Sequence, residues 1–410
     1  MITKLETLFK SLSEHRIYEP NNNPSMILKR TVFVATPIFL GLLAYIAFRF
    51  HLIGGYDVET DFYWSYVPSA KLINDGTIPI DQFRGPVYPF ALMLLNSLIG
   101  EYFYSGMLLS LLSALVFLYT SFAILQRLFG KVVAFIAWLL TMTNTIFVAF
   151  SYTASTDMFY NALVMLSLYF VVRDSKRRTW GLLIAAIFGA LAYLTRYNGI
   201  ALLLGIPVMI WIGSDRRAVR EWSGAVATYI SSFLILISPW GMYCLNEKGS
   251  FFYNENFKNV AFEMYAKGSM SWNDYWFGKG LELHSWSDLI MHNPIRFAIR
   301  SASNIVTHFK LDMLSLLGWW LGLLVTLGIV FIIFKRPTRT QMGFYCFHLI
   351  LFLSLVTVFY GERFSFVLIP CYAALAIVPL LSMRVSFQLF QVPIKLSYVF
   401  ITIVAILSIS

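Results

Sequence analysis

Apolar runs of membrane-spanning length recur along the chain from Thr31 to the last residue, separated by short polar or basic connections. A bilayer-crossing helix needs about twenty apolar residues, and shorter ones are tolerated inside bundles. The pattern predicts spans at Thr31–Phe48, Tyr104–Gln126, Val132–Tyr152, Met158–Val172, Trp180–Thr195 and Gly199–Gly213. Five more are predicted at Ala225–Leu245, Met313–Phe334, Met342–Tyr360, Phe364–Met383 and Leu396–Ser410. The expected fold class is an all-α polytopic membrane protein of about eleven transmembrane helices. Val87–Gly100 is apolar but short, and by length alone fits either a span or a helix lying in the interface.

The basic residues decide that case. If Val87–Gly100 does not span, 19 of the 31 Lys and Arg residues collect on one side, in the amino-terminal tail and short loops. The opposite short connections then hold only Lys71, Arg84, Arg196 and Arg363. If it did span, the clusters from Arg127 onward would change sides and the bias would break. The excess of basic residues on the cytoplasmic side therefore favours an interfacial helix, a cytosolic N-terminus and an outer C-terminus. Residues 1–30 form a cytosolic segment, and 31–410 a single membrane domain with outer segments at 51–103 and 246–312.

Composition agrees: 58% of residues are hydrophobic and 13% charged, about half the charged fraction of a soluble domain. The net charge of +10 lies in clusters between apolar runs, so it reads as orientation rather than as a nucleic-acid surface. Cys244, Cys346 and Cys371 lie in or beside apolar runs without paired spacing, which gives packing residues and no disulfide or metal framework. About thirty polar and basic residues precede the first run, and Phe48-Arg49-Phe50-His51 offers no small-residue cleavage site, so that run is expected to stay as an anchor. The expected location is the cytoplasmic (inner) membrane.

Candidate chemistry gathers on the outer side. Asp57, Glu59 and Asp61 put three carboxylates within five residues, directly after the first span. Like charges this close raise one another's pKa, which suits a group that must take a proton; the plainer reading is a solvated acidic loop. Asp157 stands at the start of the fourth span, where its ordinary role is a helix N-cap. Arg196 falls in an outer hairpin, where it could serve as an interface anchor, and Glu362-Arg363 lies at another helix boundary, where it could form a surface ion pair. Charges so near hydrocarbon are costly, and four stretches bringing them to one face describe a site for an anionic headgroup anchored in lipid.

The residues Asp61-Phe-Tyr-Trp-Ser-Tyr66, Ala70, Asp75-Gly76 and Arg84-Gly-Pro86-Val-Tyr88-Pro89 resemble the first-loop pattern of GT-C glycosyltransferases. The group they most resemble is the bacterial relatives of protein O-mannosyltransferases and of the lipid A aminoarabinose transferase. Asp157, Leu194-Thr195-Arg196 and Arg363 to Pro370 follow the same order, so the resemblance covers roughly Thr31–Met383. It implies an enzyme of the cell envelope that moves a sugar from a polyprenyl-phosphate donor to a lipid or glycan acceptor, with inversion. In that scheme Asp61 is the general base, with Asp57 or Glu59 as substitutes because Phe62 replaces the second acid of the usual Asp-Glu pair. Arg84, Arg196, Arg363 and Lys71 would bind the donor phosphate, and Tyr66, Tyr88 and Glu362 the sugar or acceptor. Asp157 would orient the acceptor or a basic partner, or hold a divalent metal where relatives use one; with no tight ligand cluster, no metal is assigned. The chain ends without the outer soluble domain of some relatives, which favours a lipid or glycan acceptor over a large protein.

The second outer segment carries Tyr253, Tyr265, Trp272, Tyr275, Trp276 and Trp286. These rings fit an acceptor-binding lid or, more plainly, interfacial anchors. His284, His292 and His308 lack metal-ligand spacing, and His348 and Cys346 read as packed core. Two rivals remain. A lipid-linked oligosaccharide flippase would place ionisable groups near the midplane, and an O-antigen ligase would use His284, His292, Arg296 and Arg300 in the late outer loop.

Overall fold

The computed structural model describes residues 26–51, 58–59, 61–173, 179–215, 218–278, 282–382, 386–389 and 392–395. These are mostly helical, and the greater part of each predicted apolar run up to 382 lies in helix. Among the described residues, four helices are long and apolar enough to cross a membrane: Met26–Phe50, Tyr102–Phe129, Val219–Lys248 and Glu362–Ser382. The count reaches five if Lys131–Met142 and Thr145–Tyr152 act as one broken span. Shorter apolar helices lie at Thr179–Thr195, Tyr197–Gly213 and Trp319–Phe334. The chain is a multi-pass helical membrane protein. Large apolar side chains such as Phe33, Ile38, Ile235, Leu327 and Ile333 are exposed on the outer helices, as expected where the surrounding solvent is lipid. The predicted run Leu396–Ser410 lies outside the described residues.

Three predicted runs need correction. Val132–Tyr152 is two helices that meet at 65°. Asn144 makes the break: its side chain accepts from Phe147 N (3.0 Å), capping the second helix, and its Nδ2 donates to the Leu316 carbonyl (2.6 Å). Met313–Phe334 is interrupted before Trp319, where Gly318 takes a positive φ of 75°. Met342–Tyr360 stops being helical at Leu355, and the residues beyond it form a turn. The all-α expectation also misses a two-stranded antiparallel hairpin, Ser386–Leu389 with Val392–Lys395. Val87–Ile99 is a helix of 13 residues, roughly 20 Å long at 1.5 Å per residue and short for a bilayer core of about 30 Å.

The main core is organised around Tyr102–Phe129, buried along most of its length against Thr156–Arg173, Lys131–Met142 and Met26–Phe50. Ile369–Ser382 is almost wholly buried against Trp319–Phe334 and Lys131–Met142. A second cluster joins Phe62, Tyr66, Tyr88, Phe103 and Met107, and so seats the first outer segment on the bundle. A third, with Phe257, Val260, Met264, Tyr275 and Leu289, gives the second outer segment a small core of its own.

Candidate active site

Backbone contacts bring four distant stretches to one place. Glu59 N donates to the Ala154 carbonyl (3.2 Å), which pins the start of the first segment beside Thr156 and Asp157. Arg84 and Arg196 form an antiparallel β-bridge. Gly85 permits that approach: a Cβ there would overlap the Leu194 carbonyl. The second outer segment joins through Glu255 N, which donates to the Gln82 carbonyl (2.7 Å), and Asn256 Nδ2, which donates to Phe83 O (3.1 Å).

The charged side chains assembled in this way are paired. Arg84 bridges Asp61 and Asp81 and lies over the Tyr66 ring. Arg196 donates to Asp157 Oδ1 (2.5 Å) and to Thr156 Oγ1 (3.1 Å). Arg363 reaches Glu59 Oε1 at 3.3 Å and Asp157 Oδ2 only at 3.9 Å. Both Arg196 and Arg363 lie against the Phe364 ring, at 5.1 and 4.8 Å. Glu59 is held by the Thr156 backbone N–H and hydroxyl, each at 3.3 Å. Burial opposes the charge on Arg84, but Tyr66, Asp81, Asp61 and Glu59 outweigh it and raise its pKa. Arg196 follows the same pattern through Asp157 and Glu59. Burial, reinforced by Glu59, pushes the Tyr66 phenol upward, so its hydroxyl stays a neutral hydrogen-bonding group beside Thr156.

A cavity of about 860 Å³ opens over this cluster, within the size range of sites that enclose small-molecule ligands. Its walls differ. Among the described residues, Glu59, Asp61, Arg84, Arg196 and Arg363 supply all of its charged lining, with the neutral Tyr66 beside them. The end of the Arg339–Leu355 helix and the turn after it add Leu355, Val358 and Phe359, and Ile200 is a further apolar lining residue. Asn254, Asn256, Asn259, Phe262, Trp272 and Trp286 form the wall given by the second outer segment.

Of the residues singled out in sequence, Asp61, Tyr66, Arg84, Arg196 and Arg363 line this cavity. Asp157 does not: it is 1% exposed and sits behind Arg196. Lys71 lies on the exposed face of Val67–Asn74, over the Tyr102 ring. Tyr88 is buried behind Tyr66, ring against ring at 5.0 Å. Glu362 adjoins the buried Asp312–Tyr360 pair instead. Asp57 lies outside the described residues. Sequence pattern assigns no role to Asp81, Thr156 or the three asparagines. The spacing of Asp81 three residues before Arg84 is the one signal that points to the first of these. Among the described residues no group of three His, Cys, Asp or Glu side chains could hold a metal ion.

Residues 83–243 match the family model described as dolichyl-phosphate-mannose-protein mannosyltransferase. The matched stretch contains Arg84, Asp157 and Arg196. In structure, the chain is similar to the archaeal oligosaccharyltransferase AglB from Archaeoglobus fulgidus, solved with an inhibitory peptide and a dolichol-phosphate. That match has a TM-score of 0.58 at 13% identity and covers 92% of this chain and 55% of AglB. It is also similar to ArnT from Cupriavidus metallidurans bound to undecaprenyl phosphate, with a TM-score of 0.59 at 16% identity, covering 86% of this chain and 60% of ArnT. The chain has the GT-C glycosyltransferase fold. It spans little more than half the length of the solved GT-C proteins it matches. No curated protein matches it in sequence.

Proposed function

We propose that the protein is a glycosyltransferase of the cytoplasmic membrane that takes a sugar from a polyprenyl-phosphate donor and passes it to a lipid or glycan acceptor on the outer face. The observation that carries this reading is the meeting, in one cavity, of an apolar group of side chains (Ile200, Leu355, Val358, Phe359) with three arginines and an accessible carboxylate. A polyprenyl phosphate has the same two halves. The two solved GT-C proteins hold dolichol-phosphate and undecaprenyl phosphate, which supports the donor class.

In the proposed reaction Asp61 is the base. Its side chain is 35% exposed, whereas that of Glu59 is 2% exposed and already held by Thr156 and Arg363. Asp61 removes the proton from the acceptor hydroxyl as that oxygen attacks the anomeric carbon. The new C–O bond forms as the bond from the anomeric carbon to the phosphate oxygen breaks, and the electron pair leaves with the polyprenyl phosphate. Attack opposite the leaving group inverts the anomeric centre. Arg363 and Arg196 stabilise the departing phosphate. Arg363 is the freer of the two, since its carboxylate contacts are long and its side chain is 28% exposed. Asp157 acts through Arg196 by holding it in place.

The test is transfer of radiolabel from polyprenyl-phosphate sugars into an envelope extract, using membranes with wild type or Asp61→Asn at equal expression. Transfer by wild type that is lost in Asp61→Asn supports both the class and the base. Transfer lost instead in Glu59→Gln and retained in Asp61→Asn moves the base to Glu59. Flipping of the same lipids with no transfer would replace the enzyme with a transporter.

A further inference from the structure

The cavity is electrically one-sided. Among the described residues, every charged side chain in its lining comes from the first outer segment, the Arg196 hairpin or the Arg363 turn. Among the described residues, the lining from the stretch 252–286 carries no charge. The charges nearby on that segment are spent on each other: Lys258 pairs with Glu255 at 2.7 Å and covers the Trp276 ring at 4.5 Å, outside the cavity. What faces the cavity there is amide and aromatic.

The amides are held in a fixed order. Asn256 N donates to Asn254 Oδ1 (3.2 Å), and Asn259 Nδ2 lies 3.5 Å from Asn256 Oδ1. With Asn256 Nδ2 given to the Phe83 carbonyl, no protein donor reaches Asn259 Oδ1 among the described residues. The rings are fixed as well, Trp272 edge-on to Phe262 (5.2 Å) and Trp286 edge-on to Phe257 (6.4 Å).

We propose that this wall is the acceptor subsite and that it takes a neutral saccharide. The proposal rests on the transferase reading above and narrows it. A pyranose offers hydroxyls that give and accept hydrogen bonds, which amides match from both ends, and C–H faces that lie on aromatic rings. A phosphorylated or carboxylated acceptor would bring a charge against this wall with no counter-charge on it, at a desolvation cost that nothing there offsets. The cavity size leaves room for a second sugar beside the one carried by the donor.

The experiment uses the full chain in lipid nanodiscs with radiolabelled polyprenyl-phosphate sugar. A host envelope extract is separated into neutral glycans and glycolipids, phosphorylated lipids, and protein. Label is expected in the neutral glycan fraction. Trp286→Ala and Asn259→Leu are each expected to raise KM for that fraction by about tenfold or more, with binding of undecaprenyl phosphate unchanged. Asn259→Gln is expected to recover part of the loss, which a folding defect would not allow. Label entering the protein or phosphorylated-lipid fraction overturns the neutral acceptor while leaving the transferase standing. So does an unchanged KM in both Trp286→Ala and Asn259→Leu. Wild-type protein that neither binds undecaprenyl phosphate nor labels any fraction fails the transferase reading itself, and the subsite falls with it.

Discussion

The two outer segments contribute opposite kinds of surface to one cavity. The first gives charge, packed tightly: Arg84 sits between two carboxylates, and Glu59 is 5% exposed. The second gives amides and indoles on a small separate core built around Phe257 and Met264. A charged group near hydrocarbon persists only when its partners are fixed, so the first segment is tied to three other stretches by backbone and side-chain bonds. A neutral wall has no such requirement, and it is tied to the first segment through Gln82 and Phe83. Geometry for chemistry is thus concentrated on one side, and room for variation in the bound partner on the other.

That contrast can be broken most directly on the charged side. Asp61→Asn should reduce transfer by about 10²–10⁴-fold, the range for losing a general base, measured as initial rate at saturating acceptor. Arg363→Ala should cost about 10²–10³-fold in kcat, like the loss of one donor to a developing anion. Arg196→Ala should do two things at once. It removes a proposed phosphate ligand and leaves Asp157 buried without its 2.5 Å partner, which should cost about 3–5 kcal/mol of stability. A thermal-unfolding comparison with Arg363→Ala, expected to be far less destabilised, separates the two effects. Smaller again, Asn144→Ala should lower stability by about 1–2 kcal/mol through the lost cap and the lost bond to Leu316. Lys71→Ala should change transfer by less than about twofold, as for a surface residue outside the site; a large loss would mean that the donor path runs past Val67–Asn74.

The gathering of the charged stretches is legible in the sequence, because acid and arginine at helix ends beside hydrocarbon are too costly to stand there without a partner or a ligand. Arg196, Arg363 and the acidic stretch that holds Asp61 follow from that cost, while Arg84 enters only through the family resemblance; the four meet in one cavity. Depth is not legible. Asp157 and Arg196 look alike in sequence, each a charge at a helix boundary, yet one is behind the other, and only packing decides which. The same holds for the break at Asn144. The apolar composition runs through it unchanged, and the bend depends on a carbonyl from Leu316, 172 residues away. The asparagine wall is invisible for a different reason: Asn254 lies just before a helix of six residues, Asn256–Ala261, that carries Asn256 and Asn259 and is too short for periodicity to assign a facing direction.

Within the charged cluster, Glu59, Asp61, Asp81 and Asp157 surround Arg84, Arg196 and Arg363. Four carboxylates against three guanidiniums leave no surplus of positive charge to draw a free anion from solution. On the proposed reading an arriving phosphate competes with Asp157 for Arg196 and finds Arg363 only loosely held by carboxylates, so the attraction of the site for inorganic phosphate or sulfate should be slight. Most of the affinity for the proposed donor should then come from its hydrocarbon chain, and donor binding should vary little with ionic strength. The site would admit its substrate by the solvent the substrate arrives in, and ignore the same headgroup dissolved in water.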